Sequence, residues 1–183
     1  MTTAKTSPED REFTDILRWV EASVAAQISL VQLREKMLTA RVLYELATRA
    51  TAITRGSKTQ LLVNDRFDIA RAAGADGVHL TARSLPTKLV RSICGQDFLI
   101  GVSTHSLDEA LNARANGADF IVFGPVFEKR GFGEPQGLEK LREVTSALPG
   151  FPVLAIGGIN RENTDECFKA GASGVAAIRL FNE

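Results

Sequence analysis

Six consecutive residues near the start of the chain, VQLREK at positions 31–36, combine a short apolar strand with groups that bind anions. Side chains two positions apart in a strand point to the same face, so Gln32 and Arg34 share one face, and Lys36 follows where the strand ends. Burying a carboxamide, a guanidinium and an ammonium group is costly unless they meet hydrogen-bonding, anionic partners. The segment therefore indicates a site for an anionic ligand.

A second set of polar residues, Asn64, Asp65 and Arg66, follows the next apolar run. Asn64 and Asp65 offer carboxamide and carboxylate oxygens, which suit Mg²⁺ bound to a diphosphate. Asp65 also has a purely structural alternative, because an aspartate at this point can cap the helix that follows.

The two histidines lie in different settings. His79 falls within a predicted strand, where we expect a hydrogen-bonded core residue. His105 comes just after the end of a strand that leads into Ser103, and it precedes a capping box at 106–109. Because an imidazole titrates near neutral pH, His105 is a candidate for proton transfer, with support of the loop as the alternative.

Two glycine-rich segments lie further along the chain. Residues 124–137 form the longest irregular stretch, which is either a mobile lid or a plain surface connector. Gly157 and Gly158 leave a strand and open a predicted helix, so their backbone N–H groups can approach a phosphate closely; a tight turn is the alternative. Arg179, at the end of the last predicted strand, is expected to bind the same phosphate.

An alternation of strands and helices positions these residues. In each of GADGV (74–78), GADFI (117–121) and GASGV (171–175), a helix ends at a glycine and a strand begins. The strands are near-continuous apolar runs, which is typical of parallel strands covered on both faces. The predicted strands lie at about 29–34, 60–64, 77–80, 98–102, 119–123, 152–156 and 174–179.

This alternation predicts an α/β fold, specifically a TIM-type (β/α)8 barrel, in which functional groups gather at the C-terminal ends of the strands. Seven strands are one short of that barrel, and the chain opens on a helix, so we expect the first strand and the last helix to be lacking. A length of 183 residues favours a single domain over residues 1–183.

The composition narrows the class of protein. Twenty-two basic and 22 acidic residues cancel, and no basic stripe indicates nucleic-acid binding. No apolar run reaches membrane-spanning length and no signal peptide is evident, which favours a cytoplasmic protein without a membrane partner. Cys94 and Cys167 lie on apolar helix faces and are expected to be buried thiols, without the spacing of a zinc site.

Seven segments, taken in order, resemble the thiamine-phosphate synthase/TenI superfamily: VQLREK, LLVNDR, GADGVHL, IGVSTHSLDEA, GADFIVFGPVF, VLAIGGIN and GASGVAAI. Members of that superfamily are β/α barrels. The resemblance implies a role in thiamine biosynthesis and small phosphorylated thiazole and pyrimidine ligands. It also makes a homodimer a reasonable expectation, since dimers are common among such barrels.

In the synthase branch, Mg²⁺ assists the loss of diphosphate from a pyrimidine diphosphate, and the nitrogen of a thiazole phosphate captures the resulting carbocation. The resemblance implies that Asp65 is a magnesium ligand and that Gly158 lies at the thiazole-phosphate site. It places the pyrimidine diphosphate against Gln32, Arg34, Lys36, Asn64 and Ser103.

Three positions depart from the synthase pattern. Ser84 stands where the synthase has a second magnesium-binding aspartate, and Phe132 stands where it has a lysine that assists diphosphate departure. Arg179 replaces a serine near the end of the final strand. Lys129 is our candidate for the missing loop lysine, with Arg130 as the alternative.

The TenI branch shares the framework without the second aspartate and resembles a thiazole tautomerase that needs no metal. Its acid/base histidine matches His105. We therefore expect a TenI-like tautomerase, without a cofactor, that binds a thiazole phosphate at Gly157, Gly158 and Arg179. The first alternative is a Mg²⁺-dependent thiamine-phosphate synthase, and the second is a non-catalytic regulatory protein that binds a phosphorylated ligand.

Overall fold

Strands and helices alternate along the chain in a computed structural model that describes residues 2–3, 5–128 and 134–177. No helix among these residues is long and apolar enough to cross a membrane. In chain order the elements are α1 (Arg11–Ala25), β1 (Leu30–Leu33), α2 (Ala40–Thr54), β2 (Gln60–Asn64), α3 (Phe67–Ala72), β3 (Gly77–Leu80), α4 (Thr87–Cys94), β4 (Leu99–Thr104), α5 (Leu107–Ala115), β5 (Phe120–Phe123), α6 (Gly137–Ala147), β6 (Val153–Ile156), α7 (Thr164–Lys169) and β7 (Gly174–Ala176).

The chain divides into two compact units, the first of which comprises residues 1–79 and 94–99. Within it, β2 pairs in parallel with β1 and with β3. Gln32 lies opposite Leu62, and Asn64 lies opposite His79. Because Leu62 and Asn64 are two residues apart, the side chains of Gln32, Asn64 and His79 project from one face of these strands.

The second unit comprises residues 80–93 and 100–183, and in it β4, β5, β6 and β7 pair in parallel in that order. Its core lies between these strands and helices α5 to α7, and includes the fully buried side chains of Ile121, Phe123, Leu141 and Cys167. Burial raises the pKa of the Cys167 thiol, as expected for an unreactive core cysteine. Cys94 is only partly buried.

The described strands begin and end within two residues of their predicted limits, apart from the last, whose predicted end at 179 lies outside the described residues. The residues Ser7–Asp10 have the pattern of a helix start, with Ser7 as the cap, but the helix does not begin there. The Asp10 carboxylate accepts a hydrogen bond from the Ser7 N–H at 2.7 Å, which closes a separate turn, and α1 begins at Arg11. The alternating α/β class is as predicted, whereas a single domain stays a prediction.

Candidate functional site

A chain of hydrogen bonds joins polar side chains at the C-terminal ends of β1 and β2. The Gln32 Nε2 donates to the Asn64 Oδ1 at 2.8 Å, and the Asn64 Nδ2 donates to the Asp65 Oδ2 at 2.6 Å. Asn64 is buried and Gln32 half-buried, so these hydrogen bonds fix the amide orientations in a low-dielectric setting. Three residues expected to lie together from the sequence are therefore adjacent.

Asp65 adopts a backbone conformation that few residues other than glycine use, with φ at 60°. Its N–H donates to the carbonyl oxygen of His79 at 2.9 Å, which holds the residue at the end of β2. Helix α3 has Arg66 as its N-cap, without a side-chain capping hydrogen bond. Sparsely populated backbone conformations of this kind cluster at functional sites, and the role of the Asp65 carboxylate as a metal ligand stays a prediction.

His79 is a member of this cluster that the sequence placed only in the core. It is 7 % exposed, and burial lowers its pKa to about 4, an effect that Arg34 reinforces and Asp65 opposes. The imidazole is therefore neutral near pH 7 and lies within electrostatic range of both charged groups. The signal that could have found it is register: His79 pairs with Asn64 across neighbouring parallel strands.

The cationic side chains after β1 are exposed, contrary to the burial expected for the whole VQLREK set. Arg34 and Lys36 reach solvent, whereas Glu35 between them is half-buried and accepts a hydrogen bond from the Thr2 hydroxyl. Arg34 and Lys36 can therefore bind an incoming anion without first losing a buried partner.

In the second unit, the Gly157–Gly158 turn lies against the backbone of residues 124–128, which we call the bridging segment. Val126 N–H donates to the Ile156 carbonyl at 2.8 Å and Phe127 N–H donates to the Gly157 carbonyl at 3.0 Å. A Cβ at Gly157 would lie 2.5 Å from Pro125, and one at Gly158 would lie 2.7 Å from the Glu128 carbonyl oxygen. Only glycine fits both positions, and both have positive φ.

The helix expected directly after this turn begins later, at Thr164. Asn160 explains the delay, because its Oδ1 accepts from the N–H groups of Glu162 at 2.9 Å and Asn163 at 3.0 Å and so forms a separate turn. Any phosphate at Gly157 and Gly158 would therefore meet turn amides rather than the start of α7.

His105 occupies a defined position after β4. Its Nδ1–H donates to the Gly124 carbonyl at 2.5 Å, and its backbone N–H donates to the Glu109 carboxylate at 2.6 Å. Ser106 caps α5, as predicted, by accepting from the Glu109 N–H at 3.2 Å. Ser103 lies two residues earlier on β4, partly buried and opposite Val122.

Asp65 is the candidate ligand for Mg²⁺. The described residues contain no group of three or more His, Cys, Asp or Glu side chains able to hold a metal ion by themselves. At Ser84, where the synthase pattern has a second aspartate, the serine hydroxyl accepts a hydrogen bond from the Thr81 N–H at 2.7 Å. Mg²⁺ is commonly held by one or two carboxylates together with substrate phosphates and water, so Asp65 fits an ion that arrives with a diphosphate.

Four residues of interest, namely Lys129, Arg130, Phe132 and Arg179, lie outside the described residues. Their expected roles stay predictions.

The chain is similar in sequence to proteins from several bacteria. A protein from Geobacter sulfurreducens is 47% identical over 167 residues, covering 90% of this chain and 78% of its own. The thiamine-phosphate synthase of Clostridium acetobutylicum is 38% identical over 166 residues, covering 90% of this chain and 78% of its own.

Solved structures agree with the sequence relatives. The thiamine phosphate pyrophosphorylase from Pyrococcus furiosus superposes with a TM-score of 0.82 at 35% identity, covering 92% of this chain and 82% of that one. FabK from Thermotoga maritima, at 19% identity and a TM-score of 0.70, shares the fold alone. These matches confirm an α/β fold of the TIM type.

The profile of the family described as thiamine monophosphate synthase, abbreviated TMP-TENI, matches residues 4–181, nearly the whole chain. The superfamily expected from the seven sequence segments is thereby confirmed. The chain belongs to the thiamine monophosphate synthase family.

Proposed function

We propose that this family member is a thiamine-phosphate synthase. It joins hydroxymethylpyrimidine diphosphate to a thiazole phosphate and releases diphosphate. The observation that carries the proposal is the hydrogen-bonded series Gln32–Asn64–Asp65, in which two carboxamides and a carboxylate are linked in one row. The exposed cations of Arg34 and Lys36 follow Gln32 in the chain. A tautomerase, in contrast, has no diphosphate to bind.

The names of the relatives support the same choice. The Clostridium acetobutylicum and Pyrococcus furiosus proteins are named for synthase or pyrophosphorylase activity, which favours the alternative over the tautomerase expected from the sequence. Membership of the family makes the chain an enzyme of thiamine biosynthesis under either activity.

In this reaction, the residues of the first unit bind the pyrimidine diphosphate. Gln32 and Asn64 orient the pyrimidine through their fixed amides, while Arg34 and Lys36 bind the diphosphate oxygens. Asp65 would hold Mg²⁺, which when bound would neutralise charge on the diphosphate leaving group. The bond from the pyrimidine methylene carbon to oxygen breaks with its electron pair going to diphosphate. The thiazole nitrogen then donates its lone pair to that carbon.

A paired assay tests the proposal. One arm contains the pyrimidine diphosphate, the thiazole phosphate and Mg²⁺, and the other contains only the thiazole carboxylate phosphate tautomer. We expect thiamine phosphate in the first arm and its loss with a chelator. Turnover confined to the second arm would establish the tautomerase, and binding without turnover in either arm would favour a regulatory protein.

Asp65 and Asp68 provide a matched pair of variants for the first arm. Asp65→Asn should lower kcat/KM about 100-fold and raise the Mg²⁺ requirement, because the carboxylate ligand is lost. Asp68→Asn should change kcat/KM less than about twofold, because Asp68 pairs with Arg66 on the surface. Equal activity of both variants would contradict the assigned role of Asp65.

A further inference from the structure

We infer that His105 is a positioning residue, which holds the bridging segment against the Gly157–Gly158 turn, and that it is not the acid/base of this site. The identity of the ligand in this inference, a thiazole phosphate, rests on the proposed function. The contact that carries the inference, from the His105 ring to the Gly124 carbonyl, does not.

The His105 ring is fixed from two directions. Its backbone is held by the Glu109 carboxylate, which is part of the capping structure of α5. Its Nδ1 lies 2.5 Å from the Gly124 carbonyl oxygen, and because a carbonyl only accepts, the proton must be on Nδ1. The hydrogen bond therefore persists whether the imidazole is neutral or protonated.

Gly124 is the first residue of the bridging segment. It is buried, and a Cβ there would lie 2.0 Å from the Ile156 carbonyl oxygen, so its backbone packs directly on the end of β6. Val126 and Phe127 then donate to Ile156 and Gly157. Anchoring Gly124 thus anchors the strip of backbone that lines the Gly157–Gly158 turn.

The surroundings of His105 argue against direct chemistry. Its side chain lines a cavity of about 160 Å³ bounded by α5, α6 and Phe123. The residues that line this cavity include none of Ser103, Gly157 or Gly158. The cavity that His105 lines therefore contains none of the described residues that are assigned to substrate in this unit.

Asparagine distinguishes the two roles. The Asn Nδ2 occupies nearly the place of the histidine Nδ1 and can donate the same hydrogen bond, but Asn cannot act as an acid or base near pH 7. His105→Asn should therefore preserve the contact to Gly124, whereas His105→Ala should break it. Lys140→Ala is the matched control, because Lys140 lines the same cavity and its Nζ donates to the Gln136 side chain at 3.1 Å rather than to the bridging segment.

The first readout is hydrogen exchange of the Val126 and Phe127 amides, measured without substrate. His105→Ala should speed exchange about tenfold, since one anchoring hydrogen bond is lost. His105→Asn and Lys140→Ala should stay within about threefold of the wild type. Unchanged exchange in His105→Ala would overturn the inference, even if the protein proves not to be a synthase.

The second readout is steady-state kinetics of thiamine phosphate formation. His105→Ala should raise the KM for thiazole phosphate about tenfold and change kcat less than about threefold, and His105→Asn should recover most of the KM. A large loss of kcat in both variants would overturn the inference and restore His105 as the acid/base. An inactive wild type would overturn the proposed function instead, and the exchange result would still decide the contact.

Discussion

Burial and charge act on a single side chain at His79. Desolvation disfavours its imidazolium form and lowers the pKa to about 4, with a smaller opposing effect from Asp65. In the unfolded chain the same imidazole takes up a proton near pH 6.5. Between pH 6.5 and pH 4, His79 is protonated in the unfolded state but neutral in the folded state. The free energy of unfolding is therefore highest above pH 6.5 and declines as the pH falls towards 4.

We therefore expect the free energy of unfolding to fall between pH 7 and pH 4, with on the order of 3 kcal/mol due to His79. Urea denaturation at a series of pH values measures this dependence. The His79→Gln variant removes the titrating group and should show a correspondingly shallower decline. Parallel curves for the two proteins would show that His79 does not titrate differently in the folded and unfolded states.

At the scale of elements, two of the three glycine joints between a helix and a strand (74–78, 117–121 and 171–175) each contain an aspartate that makes the same kind of hydrogen bond. The Asp76 Oδ2 accepts from the Leu61 N–H at 2.7 Å, and the Asp119 Oδ2 accepts from the Ile100 N–H at 2.7 Å. Each aspartate therefore ties the start of its own strand to the start of the strand before it. In the third joint a serine takes the place of the aspartate, and the Ser173 N–H donates to the Val153 carbonyl at 2.8 Å.

Asp119 should contribute more to stability than Asp76, because it also accepts a hydrogen bond from the Arg91 guanidinium at 2.5 Å. The Arg91 side chain is only 10% exposed. Asp119→Ala should lower the free energy of unfolding by about 3 kcal/mol, since it leaves a mostly buried cation and a backbone N–H without this acceptor. Asp15→Ala, which removes an exposed ion-pair partner on α1, should cost less than about 1 kcal/mol. Chemical denaturation of both variants compares them, and equal losses would contradict the structural role of the joint.

Strands were predictable because each is a short apolar run bounded by a glycine joint or by polar residues, and runs of this length and setting favour strands over helices. The predicted ends of elements were wrong where polar residues extend a strand or postpone the start of a helix. Ser103 and Thr104 read as loop residues, yet they pair with Val122 and Phe123 and extend β4. The helix predicted to open after Gly158 begins later, because Asn160 closes a separate turn.

The site was predictable in part. Gln32 and Asn64 are both polar at strand ends, which foretold their proximity. The contact between His105 and Gly124 was not, because it joins two loops 19 residues apart and depends on how β5 lies beside β4. The register that brings His79 opposite Asn64 likewise depends on strand pairing rather than on either segment alone.

For the molecule as a whole, most of the residues assigned to the pyrimidine diphosphate lie in one unit of the chain, and the described residues assigned to the thiazole phosphate lie in the other. Gln32, Arg34, Lys36, Asn64 and Asp65, assigned to the pyrimidine diphosphate and its metal, belong to the first unit. Gly157 and Gly158, assigned to the thiazole phosphate, belong to the second unit. Ser103 also belongs to the second unit, although the resemblance assigns it to the pyrimidine diphosphate. If the proposed function holds, substitutions in each unit should affect mainly one substrate.

Two variants test this division in the synthase reaction. Asn64→Ala breaks the hydrogen bonds to Gln32 and Asp65, so it should raise the KM for the pyrimidine diphosphate about tenfold. Gly158→Ala places a Cβ 2.7 Å from the Glu128 carbonyl oxygen at a φ of 66°, so it must distort the turn and should raise the KM for the thiazole phosphate by a similar factor. Each variant should leave the other KM within about twofold, because the interaction it removes is not shared by the second substrate.

Thermal unfolding of both proteins separates lost folding from lost binding. If either variant raised both KM values equally, the two substrates would not be divided between these residues, and the assignment of Gly158 or Asn64 would have to be given up.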